Sequence, residues 1–154
     1  MGKEARDFVD FLADAGQLFW QVLPIGPTGF GNSPYQSLSS YAGNPYLIDL
    51  DELIEEGLLT KEEVNEVKWY KKDTVVDFGI LYEERYKILK KATDRLASKH
   101  PQEYLDFIRK ESSWLKDYAV FMAIKKDHKG AAWLSWPKEL RIHNSDAGRR
   151  EAER

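Results

Sequence analysis

The groups able to do chemistry between Leu23 and Ile48 are rings, hydroxyls and amides, with no acid among them. Phe30, Tyr35, Tyr41 and Tyr46 are interleaved there with Ser33, Gln36 and Asn44. Aromatic faces stack on the C–H faces of a sugar, and small polar side chains meet its hydroxyls. The same rings could equally pack beneath a long loop, and spacing alone leaves both readings open. Gly26, Gly29 and Gly31 have a G-x-x-G-x-G spacing with Pro27 inside and no Lys-Ser/Thr after it, so neither the dinucleotide nor the P-loop pattern fits. His100, His128 and His143 are scattered, lack metal-ligand spacing and read as solvated surface histidines. Asp49, Asp51, Glu52, Glu63 and Asp77 stand at helix starts, where capping and dipole compensation account for them. No acid–nucleophile pair of the kind glycosidic chemistry needs stands out. No metal or cofactor site is expected.

Elements must position that aromatic segment. The apolar run Leu18-Phe19-Trp20, then Gln21, Val22 and Leu23, stopped by Pro24, predicts a strand over 18–23 buried on both faces. Ahead of it, Phe8, Val9, Phe11, Leu12 and Ala15 share one face of a helix over 3–15, with Gly16 at its C′ position. Helix, tight turn and buried strand form the repeating element of a parallel α/β fold, whose loops after the strands carry the active site. Beyond the loop, Asp49 with Glu52 and Thr60 with Glu63 form capping-box patterns for two short helices, the first ended by Gly57. Phe78, Leu81, Tyr82, Tyr86, Leu89 and Leu96 keep helical spacing, with Glu83–Lys87 as an i,i+4 pair. Pro101 opens a helix to residue 110, and 113–127 is apolar nearly all round and should be buried. Ser135-Trp136-Pro137 starts one more helical turn. A lone strand cannot make a sheet, so the chain is either mainly helical or part of a larger α/β protein.

Composition narrows the class. The 154 residues fit one domain, with 42% hydrophobic and 13% aromatic residues supplying a core. A net charge of −3 gives no general pull toward nucleic acid, and the absence of cysteine excludes disulfide and thiolate chemistry. No signal peptide and no membrane-spanning run is read, so a cytoplasmic location is expected.

Longer motifs carry a resemblance. Trp20-Gln21-Val22-Leu23-Pro24, Gly26-Pro27-Thr28-Gly29, Ser33-Pro34-Tyr35-Gln36-Ser37 and Gly43-Asn44-Pro45-Tyr46-Leu47-Ile48-Asp49-Leu50 resemble the 4-α-glucanotransferase (amylomaltase, disproportionating enzyme) family. Asp117-Tyr118-Ala119-Val120-Phe121-Met122-Ala123 and Trp136-Pro137 match a second region of it, so the likeness runs to about Arg141.

The resemblance implies a partial (β/α)8 TIM barrel, an α/β fold mostly helical over this stretch, with a helical insertion subdomain. Residues 1–50 would supply an early barrel helix, strand and active-site loop, 51–135 the insertion, and 136–154 a short helix and polar tail. It further implies transfer of α-1,4-glucan segments between glucan acceptors by a retaining double displacement, with no nucleic-acid or membrane partner. Tyr35 matches the tyrosine near the scissile sugar, and Ser33 would help line that subsite. Phe30 stands where the family often has Tyr at an accessory glucan contact, keeping the ring without the hydroxyl, and Tyr82 matches the other aromatic of that contact. Family members place a strand and a Ser-Leu-Pro-Ser segment before the stretch found here at Gly2–Arg6, and their three catalytic carboxylates fall beyond residue 154. The expectation is a fragment that binds glucan and lacks the catalytic acids. A non-catalytic carbohydrate-binding or helical interaction module, and a structural domain whose aromatics only pack, are the alternatives.

Overall fold

The computed structural model describes residues 1–142 apart from Phe30, Asp73 and His100. The chain divides into two compact units, Met1–Pro101 and Gln102–Arg154.

In the first unit, helix α1 spans Lys3–Asp14 and closes as the sequence predicts. The Gly16 N–H donates to Ala13 O at 2.9 Å and the Gln17 N–H to Leu12 O at 2.8 Å, the paired bonds of a Schellman motif. Its apolar face finds little cover: Phe8, Val9 and Phe11 are exposed, and Phe8 makes an edge contact with Trp20 at 5.2 Å. The predicted strand over 18–23 is not formed. Among the described residues the one β pairing is an isolated antiparallel bridge, Thr28–Ser37. The physical reason is non-local: a strand exists only by hydrogen bonding to a neighbour. Phe19 is consequently 91% exposed, and Leu18, Val22, Leu23 and Ile25 are exposed with it.

After a 3-10 turn at Pro45–Leu47 come α2, Leu50–Glu55, and α3, Lys61–Asn65. Asp49 Oδ1 caps α2 by accepting from the N–H groups of Asp51 and Glu52 at 2.8 and 3.3 Å. Gly57 (φ +68°) ends it, with the Leu58 N–H donating to Leu53 O at 2.8 Å. That turn drives Leu58 and Leu59 inward. The Thr60–Glu63 capping box is complete in both directions, at 3.3 and 3.1 Å. Helix α4, Phe78–Lys99, lays Ile88 and Ala92 against Leu58 and Leu59, with Leu53, Ile54, Val64 and Trp69 packed around them. Arg95 of α4 pins the capping box from outside, its guanidinium donating to both Glu63 oxygens at 2.7 Å and to Leu58 O at 2.8 Å. These bonds hold the half-buried Glu63 carboxyl down at about 2, from an ordinary 4.5, with Arg95 the main cause. Lys87 pairs with Glu84 at 2.7 Å, one residue along from the predicted Glu83.

The second unit holds α5, Gln102–Lys110, and α6, Leu115–Asp127, followed by 3-10 turns at Trp133–Ser135 and Lys138–Leu140. Trp136, between the turns, is 3% exposed, lies 5.3 Å from Phe121 and 5.9 Å from His128, and donates its Nε1–H to Ala131 O at 3.2 Å. Two expectations are corrected here. Helix α6 is not buried all round: within it only Ile124 is, and Phe121 meets the buried Trp136 from one side. His128 is not a solvated surface histidine: it is half-buried, its ring lies tilted against Trp136, and its Nδ1 lies 2.9 Å from Ile124 O. His100 and His143 lie outside the described residues. No helix among the described residues is long and apolar enough to cross a membrane.

Candidate functional site

The loop from Ile25 to Ile48 is a hydrogen-bonded body. Pro27 is fully buried at its base. A Cβ on Gly26 would stand 2.5 Å from Ser37 Oγ and 3.2 Å from Ser39 O, so only glycine lets the two limbs approach this closely. The limbs are tied by the Leu38 N–H to Pro27 O at 3.2 Å and the Asn44 N–H to Ile25 O at 2.9 Å. At the tip, the Gln36 N–H closes a turn on Ser33 O at 3.2 Å, with Pro34 and Tyr35 as its central pair. Pro favours the first of those positions because its φ is already set. Tyr35 is therefore held out on a fixed backbone, 75% exposed, and Ser33 is half-buried beside it.

The return limb is built from serine turns. Ser37 Oγ donates to Ser39 O at 2.6 Å, and Ser39 Oγ accepts from the Tyr41 and Ala42 N–H groups at 3.1 Å each. Asn44 Oδ1 accepts from the Tyr46 N–H at 2.9 Å, capping the 3-10 turn. Its side-chain oxygen thus spends one of its two acceptor sites on the backbone.

Past that cap the loop meets α4. The Tyr46 ring stands edge-on to Tyr86 at 6.3 Å, and burial, followed by the neighbouring phenols of Tyr86 and Tyr82, raises its own phenol above 10.0. Tyr82, one turn before Tyr86, is 65% exposed. Of the residues singled out from sequence, Ser33 and Tyr35 are brought together on one turn. Tyr82 belongs to a second cluster with Tyr46 and Tyr86, and no hydrogen bond or ring contact among the described residues joins Tyr35 to it. Phe30 lies outside the described residues. Sequence reasoning missed Tyr86 and the buried Arg85 that holds the turn beneath Tyr46. The signal for Arg85 was a cation in register with the apolar stripe Leu81, Ile88 and Ala92. Among the described residues no three carboxylate or histidine side chains converge on a point.

The family described as 4-alpha-glucanotransferase matches residues 1–154. The 4-alpha-glucanotransferase of Thermus thermophilus is 44% identical over 151 residues, covering 96% of this chain and 29% of that protein. The one from Clostridium butyricum is 41% identical over 145 residues, 94% of this chain and 30% of that protein. Among solved structures, the amylomaltase from Streptococcus agalactiae in complex with acarbose superposes with a TM-score of 0.89 at 37% identity, over 99% of this chain and 31% of that one. The chain thus spans about three tenths of the length of the relatives it matches. On a family match that covers its whole length, this chain belongs to the 4-alpha-glucanotransferase family.

Proposed function

We propose that this chain is the glucan-holding part of a 4-α-glucanotransferase, which moves α-1,4-glucan segments between glucan acceptors by a retaining double displacement. The observation that carries the reading is the exposed Tyr35, set on a closed turn at the tip of a loop whose every limb is pinned. A ring and hydroxyl presented this way suit a sugar face and its hydroxyls. Ser33 lines the same subsite, and Phe30 and Tyr82 make an accessory glucan contact. The run 18–23 takes its place as a strand of a (β/α)8 barrel when neighbouring strands are present, which accounts for its apolar and exposed side chains. Residues 1–50 are the barrel-side part, 51–135 the helical insertion, and 136–154 a short helix and tail. A cytoplasmic setting goes with this reading. The reacting carboxylates come from outside these residues, since a retaining transfer needs an acid/base and a nucleophile facing each other across the bond.

The test is twofold. The 154-residue chain incubated with maltotriose is expected to leave it unconverted. The same chain, exchanged for the matching segment of the Thermus thermophilus relative, is expected to yield a chimera that makes glucose and longer maltodextrins. A folded but inert chimera, or conversion by the chain alone, overturns the assignment.

A further inference from the structure

Arg85 occupies a position where an apolar residue is the ordinary choice. Leu81, Arg85, Ile88 and Ala92 fall on one stripe of α4, and Arg85 is only 7% exposed. Burying a cation costs free energy unless its N–H groups are satisfied, and a well-packed apolar side chain is often as stable there. Burial accordingly lowers this guanidinium, with Asp49 opposing from a distance. No ion pair joins Arg85 to a carboxylate among the described residues. Its partners are carbonyls: Nε donates to Pro45 O at 3.4 Å, and Nη2 to Tyr46 O at 3.5 Å and to Ile48 O. The guanidinium also lies over the Trp69 ring, 5.7 Å from its centroid.

The three carbonyls belong to one turn, the 3-10 turn on which the loop comes back to the helical body. Open clefts flank that turn. One, of about 360 Å³, lies on the side of Trp69 and Tyr70, and the other, of about 290 Å³, on the side of Ile25 and Gly43. With open space on both sides, the turn rests on α4.

We propose that Arg85 is the positioning residue of the glucan-contacting loop: a clamp on three carbonyls that fixes the turn at 45–48 on α4, sets Tyr46 against Tyr86, and holds the returning end of the loop that carries Tyr35. What the loop contacts rests on the transferase reading; the clamp itself rests on the geometry. A planar, rigid fork of donors reaches carbonyls spread along a turn in one fixed geometry, whereas lysine's three N–H groups radiate from a single nitrogen on a flexible stem and hold such a spread less firmly. Arginine is the side chain that converts a floppy return into a fixed one without touching substrate.

The experiment uses the 154-residue chain and its Arg85→Lys variant. In the variant, the amides of Tyr46, Leu47 and Ile48 should exchange about 10- to 100-fold faster, while those of Ile88 and Ala92 keep their protection. The Tyr46 phenol should titrate closer to its ordinary 10.0 as the ring leaves Tyr86. Maltoheptaose should bind about tenfold more weakly, a loss of one to two hydrogen bonds' worth of ordering. In the unaltered chain, the Arg85 Nε–H should exchange far more slowly than that of a free arginine, a readout that needs no variant to fold. Unchanged loop exchange and Tyr46 titration in the variant, or free-arginine exchange at Nε–H, overturns the clamp. Failure of maltoheptaose to bind the unaltered chain would instead remove the glucan reading, and the exchange and titration data would still decide Arg85.

Discussion

At the scale of single residues, Tyr35 and Glu63 make opposite bets on exposure. Tyr35 is 75% exposed, and on the proposed reading it meets a sugar, so its loss should appear in turnover rather than in folding. In the chimera with the Thermus thermophilus relative, Tyr35→Ala is expected to lower kcat/KM on the order of 10- to 1000-fold, about 1.4–4 kcal/mol. Contacts that strengthen as the sugar distorts lower the barrier, and those equal in both states do not. Tyr35→Phe should lose less where stacking dominates. Wild-type kinetics with a sharply lower Tm would make Tyr35 a packing residue. Glu63 acts on the fold. Its carboxyl is depressed from 4.5 to about 2, so its contribution is fully present above pH 4.5 and disappears as pH falls through 4.5 toward about 2. The stability gap between the chain and its Glu63→Gln variant should therefore be constant near neutrality, narrow across that window and close below it, as followed by denaturant unfolding at stepped pH. For the loop rings, spacing alone left packing and exposure both open, and the exposure of Tyr35 follows from the closed Ser33–Gln36 turn. Arg85 was not legible, because the carbonyls that keep it buried lie 37 to 40 residues earlier in the chain.

At the scale of elements, the signals that could be read were the local ones. Asp49, Gly57 and the Thr60–Glu63 box each act within a few residues, and each stands where its spacing requires. The strand failed because its pairing depends on partners remote in sequence. Helix α6 was overestimated because apolar content reports what a helix could bury, not what lies opposite. Two glycines with open space around their missing Cβ atoms separate conformation from contact. Gly57 has φ +68° and nothing within 4 Å, whereas Gly43 has equal room and no positive φ. Gly57→Ala should cost about 1–2 kcal/mol, all of it backbone strain, and Gly43→Ala should be near neutral. Equal denaturation midpoints for the two variants would show that α2 is not stopped by its left-handed turn.

At the scale of the molecule, one part is closed and another open. The core of Leu58, Leu59, Ile88 and Ala92 is complete within residues 50–96. By contrast, Leu18, Phe19, Val22, Leu23 and Ile25, with Phe8 and Phe11 of α1, form a run of exposed apolar side chains. Exposed apolar side chains gathered in this number favour association. The 154-residue chain should bind a hydrophobic fluorescent dye strongly or self-associate, and Trp20→Ser with Phe19→Ser should reduce both while leaving the helical signal in place. A dye-silent, cooperative monomer would mean the chain covers this face itself.

That open run has a consequence for synthesis. Residues 18–25 leave the ribosome before residues 50–96, whose core joins Leu58 and Leu59 to Ile88 and Ala92 and so waits for α4 to emerge. Leu96 follows Ile25 by 71 positions, so translation at about 5–20 residues per second leaves the apolar run bare for roughly 4–14 s before even the helical body is finished. In the finished structure Leu18, Phe19, Val22, Leu23 and Ile25 remain exposed beside it. Leu18–Ile25 is thus expected to engage a nascent-chain chaperone while it stays bare.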